Sequence, residues 1–262
     1  MKFTRFAFLG VAAALALSAN TMFGGAVVAG FDSSTLGQSD DGSTGFVDFG
    51  LGALDFFGVD YTGAFLNNNG NMTFTGPLSN YTPWGLTGGT TPMIAPFFAD
   101  VDTRGYGSGV MQYGNGFFDG HAAFGQTWRN VGYYNERTSP LNTFQTLLVD
   151  RSDIGAKDFD IYFNYDTIGW DTGQVSNVSA VAGYTNGIGS FYQLPGSAVG
   201  GAFLDGGGNA LNTNDLNSNV AGRYLFTVRN GVVTHTTPDG GSMIALLGLA
   251  LAAIAAAKRK LG

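Results

Sequence analysis

The chain has no cysteine, a single glutamate (Glu136), two histidines (His121 and His235) and, between its two ends, a single lysine (Lys157). Each scarcity excludes something. Without cysteine there are no disulfides and no thiolate metal centres, so the fold must rest on a hydrophobic core that a chain of this length can supply. Two histidines give little material for a catalytic pair, and both are expected at the surface. No serine sits in a Gly-x-Ser-x-Gly elbow. No glycine is followed by lysine, which excludes the usual phosphate-gripping loop. Charged residues make up only 12%, about half the usual share. The stretch from Gly30 to Pro238 holds 7 basic against 18 acidic residues, a balance that repels nucleic acid and excludes it as a partner.

What is abundant points the other way. Glycine reaches 42 of 262 residues and aromatics 14%, and all acidic residues but Glu136 are aspartate, which favours turns and disfavours helix interiors. Asn69-Gly70 and Asn230-Gly231 each lie between β-prone runs, the strongest short hairpin signal. In "KDFDIYFNY" Phe159, Ile161, Phe163 and Tyr165 alternate with Asp158, Asp160, Tyr162 and Asn164, the period of a half-buried strand. "NTFQTLLVD" is apolar on both faces at Leu147 to Val149, as in a central strand. Further strands are expected at Met93 to Val101, Val110 to Tyr113, Ala123 to Trp128, Ala180 to Tyr184 and Tyr224 to Val228. No central stretch keeps a 3.6 period. The expected class is therefore all-β, an antiparallel β-sandwich or distorted barrel, with helices only in an N-terminal signal and a C-terminal membrane segment. Residues 197–219 read as a long surface loop rich in Gly, Asn and Asp.

The two ends are the only long apolar runs. Lys2 and Arg5, the apolar stretch Phe6 to Leu17 and the small residues after it have the layout of a secretory signal peptide over 1–29, with cleavage after Ala26 or, preferably, Ala29. Residues 30–45 are polar and low in complexity and read as a flexible lead-in; the β domain is expected over 46–234. At the other end, the 15-residue run Met243 to Ala257 is short for a membrane span. Its six Leu and Ile residues give an insertion free energy of about −2 to −3 kcal/mol. Lys258, Arg259 and Lys260 then hold the terminus on the cytoplasmic side. Thr237, Pro238, Asp239, Gly240, Gly241 and Ser242 precede the run, completing a tripartite tail over 237–262: motif, marginal helix, basic stop.

Chemistry-bearing residues are few. Asp100 and Asp102 in "FFADVDTRGYG" offer two oxygen donors at a strand end and are the candidate Ca²⁺ ligands. As a calcium loop the segment fails, with Arg104 at the fifth position and Met111 at the twelfth; the alternative is that Asp102 caps a turn or pairs with Arg104. An aspartate pair working as a glycosidase remains open without any particular pair nominated. Trp84, in the Pro/Gly-rich "YTPWG", is the candidate for stacking on sugar rings. Phe97, Phe98, Trp128, Tyr133, Tyr134, Phe144, Trp170 and Phe191 are the expected core aromatics. Sequons at Asn71, Asn80 and Asn177 are read as accidental. No cofactor is expected.

Read in order, "NNNGNMTF", "PMIAPFFADVDTRGYGSGVMQY", "FGQTWRNVGYY", "NTFQTLLVDRS", "DFDIYFNYDTIGWDTG" and "VAGYTNGIGSFYQLPGS" resemble the NIDO domain, the extracellular module named after nidogen, from about Asn67 to Ser197. The resemblance implies an extracellular β-rich domain associated with cell–matrix adhesion, without catalytic residues. The cysteine-rich neighbours of the animal proteins are absent, so their partners are not carried over. The tail "TPDGGS" resembles the PEP-CTERM class in its Pro-Asp-Gly-Gly-Ser variant, with Thr237 in place of the usual Val. That resemblance implies recognition by an exosortase, a membrane transpeptidase-like enzyme of Gram-negative bacteria that make exopolysaccharide. The combined expectation is a protein exported through the inner membrane, held there transiently by 243–257, and delivered to the cell surface or biofilm matrix. There it would meet polysaccharide or surface proteins. The alternatives are a carbohydrate-active enzyme and a Ca²⁺-dependent lectin-like module of the same matrix.

Overall fold

The computed structural model describes residues 25–173 and 177–234. Residues 1–24 of the expected signal peptide, the sorting motif at 237–242, the apolar run 243–257 and the basic stop lie outside the described residues. Within them no helix is long and apolar enough to cross a membrane; the one helical element is a 3₁₀ turn, Leu86–Gly88.

Two antiparallel sheets face each other. The larger runs in the order Ser34–Thr35, Met111–Phe118, His121–Tyr133, Arg137–Asp150, Phe159–Ile168, Arg223–Arg229, Val232–Thr234, with Val101–Asp102 also pairing onto His121–Tyr133. The smaller runs Phe191–Gln193, Val181–Thr185, Met93–Phe98, Asn71–Thr73, Gly63–Asn67, Ser43–Asp48. A two-stranded ribbon, Leu54–Phe56 with Val59–Tyr61, adds a third sheet. This is a sandwich, and the expected strands are present, most of them with longer or shifted bounds. "NTFQTLLVD" does lie in a central strand, paired on both sides.

The core between the sheets is dominated by aromatics. Trp128 stacks on Phe144 at 4.7 Å, Phe97 packs on Phe144 and Trp170, and Phe226 meets both Phe163 and Tyr184. Such ring pairs add about 0.5–1.5 kcal/mol each beyond area burial. The expected core aromatics are inside except Phe191, which lies in the short strand Phe191–Gln193 at the sheet edge and is 41% exposed, and Tyr133 and Tyr134, which are half-buried. Phe203 and Leu211 are buried, so the 197–219 loop contributes to the core as well as running over the surface.

Two differences from the sequence reading share one cause. Residues 25–31, the end of the expected signal peptide and the start of the expected flexible lead-in, are docked on the outer face of the larger sheet. Phe31 is buried with Ala123, Leu147 and Val149, and its ring fills the space above Gly125, where a Cβ would collide with it. Gln145 acts as a surrogate strand edge: its Oε1 accepts from Val28 N–H and its Nε2 donates to Val28 O. Arg223 Nη2 donates to Ala26 O, and Val27 N–H donates to Asp166 Oδ1. Ser34–Thr35 then extends the sheet. The second face of Phe159–Ile168 is therefore not open to water as a half-buried strand requires: Tyr162 packs with Val28 and Phe31, Asn164 is buried beside Gln145 and Arg223, and Asp160 is buried between Arg151 and Arg229.

Candidate acidic site

The site is built on the run Asn67 to Asn71, all of whose side-chain-bearing residues are buried. Strands Gly63–Asn67 and Asn71–Thr73 pair with Asn67 opposite Asn71, so the turn holds three residues, and only Gly70 takes a positive φ, +74°. A longer turn than the two-residue hairpin expected here turns the intervening asparagine amides inward, where they replace missing backbone partners. Asn68 Nδ2 donates to the carbonyls of Ser39, Asp40 and Val101. Asn69 Oδ1 accepts from Val101 N–H, and its Nδ2 donates to Asp41 Oδ1 at 2.8 Å. Thr103 fastens Ser39 from the other side, through N–H to Ser39 O and Oγ1 from Ser39 N–H. The loop carrying Asp40 and Asp41 is thereby fixed against the chain that carries Asp100.

Asp40, Asp41 and Asp100 each present a carboxylate oxygen, and the three oxygens lie within 4.8 Å of one another. Asp100 is 1% exposed, and among the described residues neither of its oxygens meets a hydrogen-bond donor; Asp40 Oδ1 is likewise buried without one. Gly173 closes the site over Asp100, since a Cβ there would come 2.6 Å from Asp100 Cβ. Burial first, then the charges of Asp40, Asp41 and Asp102, push the Asp100 carboxyl up to about 7. Burial and the charges of Asp102 and Asp41 push Asp40 up to about 6, with Arg104 opposing them.

The expected pair Asp100 and Asp102 is split. Asp102 belongs to an ion pair: Arg104 Nε and Nη2 donate to its two oxygens at 2.9 and 2.7 Å, and Arg104 and Glu136 N–H groups complete it. Burial works against the charged form, and these donors outweigh it, so the Asp102 carboxyl sits below the ordinary carboxylate range. Of the two roles read from the sequence for Asp102, the structure shows the Arg104 pair, and the carboxylates grouped with Asp100 are Asp40 and Asp41. Arg104 Nη2 also reaches Asp40 Oδ2, leaving Oδ1 of Asp40 and all of Asp100 unserved. Sequence reasoning missed Asp40 and Asp41 because "QSDDGSTG" reads as low-complexity lead-in, and no local spacing reports a contact across 60 residues.

The other candidates are elsewhere. Trp84 is half-buried, edge-on to Phe98 at 4.8 Å, in a small cluster with Leu86, Met93 and Val181 on the outer side of the smaller sheet. His121 Nδ1 stands 3.7 Å from Asp153 Oδ1. His235 lies outside the described residues.

The nidogen-like domain family matches residues 62–117 and 109–230, which span both sheets and the Asp100 arm of the site. The chain belongs to the nidogen-like domain family. A VPDSG-CTERM motif, a sorting signal of the PEP-CTERM kind, matches residues 238–261. Alpha-tectorin of Mus musculus and of Homo sapiens are each 34% identical over 222 residues, covering 72% of this chain and 10% of theirs. Nidogen of Drosophila melanogaster is 28% identical over 205 residues, covering 67% of this chain and 14% of its own. The nidogen-like chain thus spans about a tenth of the length of the tectorins it matches. No solved structure matches it.

Proposed function

We propose that this nidogen-like protein is a secreted, non-enzymatic component of a bacterial cell surface or exopolysaccharide matrix, acting in adhesion and delivered by exosortase processing. The observation that carries the reading is the joining of a nidogen-like domain over 62–230 to a sorting motif over 238–261 in one short chain. The N-terminal signal directs export. The apolar run 243–257 holds the protein at the inner membrane until cleavage between Pro238 and Ser242 frees the domain for the cell surface or matrix.

The acidic site favours this over a glycosidase. Paired carboxylates at such a separation could serve retaining chemistry, but Asp100 is buried beneath Gly173, so no sugar ring reaches it. Contact with polysaccharide falls instead to the loop before Leu86–Gly88, where Tyr81 is 41% exposed three residues ahead of Trp84.

Binding tests this directly. A soluble fragment of residues 25–236, started at Gly25 so as to keep the docked residues 25–31, is expected to bind the host's own exopolysaccharide or its cell surface in a pull-down. Replacing Tyr81 and Trp84 together by alanine is expected to weaken capture of polysaccharide about tenfold, the loss of about 1.4 kcal/mol from two rings. Failure of the wild-type fragment to bind either material would remove the adhesive role.

A further inference from the structure

We propose that Asp40, Asp41 and Asp100 form a binding site for one Ca²⁺ ion. Two oxygens bound to the same Ca²⁺, at about 2.3–2.6 Å from it, stand no more than about 5 Å apart. The three carboxylates meet that limit, with every pair of oxygens inside 4.8 Å. Three clustered acids alone would not make a site, since they are common on surfaces. What points to a ligand is Asp100: a carboxylate 1% exposed, between the strands Met93–Phe98 and Val101–Asp102, with both oxygens unpartnered among the described residues. Buried polar groups in folded proteins are nearly always satisfied, and each exception needs an explanation. Asp40 Oδ1, buried and unpartnered on the facing loop, is a second exception at the same place.

The surroundings are already arranged for a cation. Arg104, among the described residues the one basic side chain that reaches the loop, is taken up by both oxygens of Asp102 and by Asp40 Oδ2, so its charge does not answer Asp100 or Asp40 Oδ1. Asn68 and Asn69 hold the Asp40–Asp41 backbone and one Asp41 oxygen in place, so the ligands need little reordering on binding. Asp40 and Asp41 are only half-buried, which leaves an entry path from solvent on their side.

Donor chemistry selects the ion. Oxygen donors without imidazole or thiolate suit hard cations rather than zinc or copper. Mg²⁺ needs a near-octahedral shell and keeps most of its waters, whereas Ca²⁺ tolerates irregular geometry and bidentate carboxylates. A buried carboxylate with both oxygens free is suited to the latter. The bound ion would tie the loop at Asp40 to the strand junction at Asp100, linking segments 60 residues apart across the end of the sandwich. The competing way to satisfy Asp100 is a shared proton, which would make the same cluster a metal-independent acid pair.

The test uses the full chain in mild detergent, stripped with EDTA and titrated with CaCl₂ at neutral pH by calorimetry and by thermal unfolding. One site is expected, with Kd no weaker than the roughly 10⁻⁴–10⁻³ M of extracellular calcium modules, and a melting temperature that climbs with the logarithm of Ca²⁺ above Kd. Asp100→Asn keeps the shape and removes one of the crowded charges. It should melt no lower than the unsubstituted chain in EDTA and show no Ca²⁺-dependent rise. Asp41→Asn, at a half-buried position, should fold normally and weaken Ca²⁺ at least about tenfold; it decides the matter if Asp100→Asn does not fold. No heat and no melting shift up to about 10 mM Ca²⁺, an order of magnitude beyond that range, would overturn the proposal in favour of the shared proton. So would an equal shift in the substituted chains, and an equal or larger shift with Mg²⁺ would overturn the choice of ion. The outcome is independent of polysaccharide binding, so the adhesive role can fail while this site stands.

Discussion

Trp128→Ala is expected to cost about 3–5 kcal/mol, enough to consume much of the roughly 5–15 kcal/mol that holds a domain folded. Trp128 is completely buried and stacks on Phe144 with an interplanar angle of 18°, so truncation opens a cavity at the centre of the aromatic core. It also removes the Nε1–H that donates to Asn68 O at 2.8 Å, in the same turn that carries the acidic site. Trp128→Phe separates the two effects. It keeps a ring against Phe144 and removes one of the two donors to the Asn68 carbonyl, which still accepts from Gly70 N–H, for an expected hydrogen-bond loss of about 0.5–1.5 kcal/mol. Equilibrium urea unfolding of the two variants checks this, and a loss below about 1 kcal/mol for Trp128→Ala would contradict the assignment of Trp128 to the core.

Gly70→Ala is expected to be worse, above about 4 kcal/mol, the range reserved for identifiable defects. Two causes combine. Gly70 has φ of +74°, a region that costs an L-residue about 1–2 kcal/mol. A Cβ there would also run into the backbone carbonyl oxygen of Phe97, while Gly70 O accepts from Phe97 N–H. Both partners are backbone within a sheet and cannot step aside. Gly201→Ala supplies the comparison: its φ is +76° but nothing lies within 4 Å of the added Cβ, so only the conformational cost of about 1–2 kcal/mol remains. The difference between the two substitutions in the same unfolding experiment measures the collision; equal losses would show that the close approach at Gly70 does not matter.

The sequence was most legible where local chemistry decides local geometry. Asn230-Gly231 forms the two-residue turn expected of it, with φ of +48° and +74° and Arg229 opposite Val232. The alternation Phe159, Ile161, Phe163, Tyr165 correctly marks the inner face of its strand, because that face needs only a period of two. Its other face is less legible because what buries it is non-local: residues 25–31 near Tyr162, and Arg151 and Arg229 over Asp158 and Asp160. Asn69-Gly70 marked a hairpin but not its length, since the third residue is fixed by the inward amides of Asn68 and Asn69 rather than by turn preference. The acidic site illustrates the same limit. Asp100 is visible as an oxygen donor at a strand end, while its partners are set by how the Ser39 to Gly42 loop docks on Asn68, a tertiary outcome with no periodic trace.

The central claim is that the nidogen-like domain leaves the cell by way of its C-terminal sorting motif. Intact-mass analysis of the protein in secreted and membrane fractions of its native host, beside a chain carrying Pro238→Ala and Asp239→Ala, tests it most directly. The expected result is a secreted form ending between Pro238 and Ser242 that disappears in the substituted chain, which accumulates in the membrane with its tail intact. A full-length membrane form in both strains, indifferent to the substitutions, would contradict sorting and leave a tail-anchored surface protein in its place.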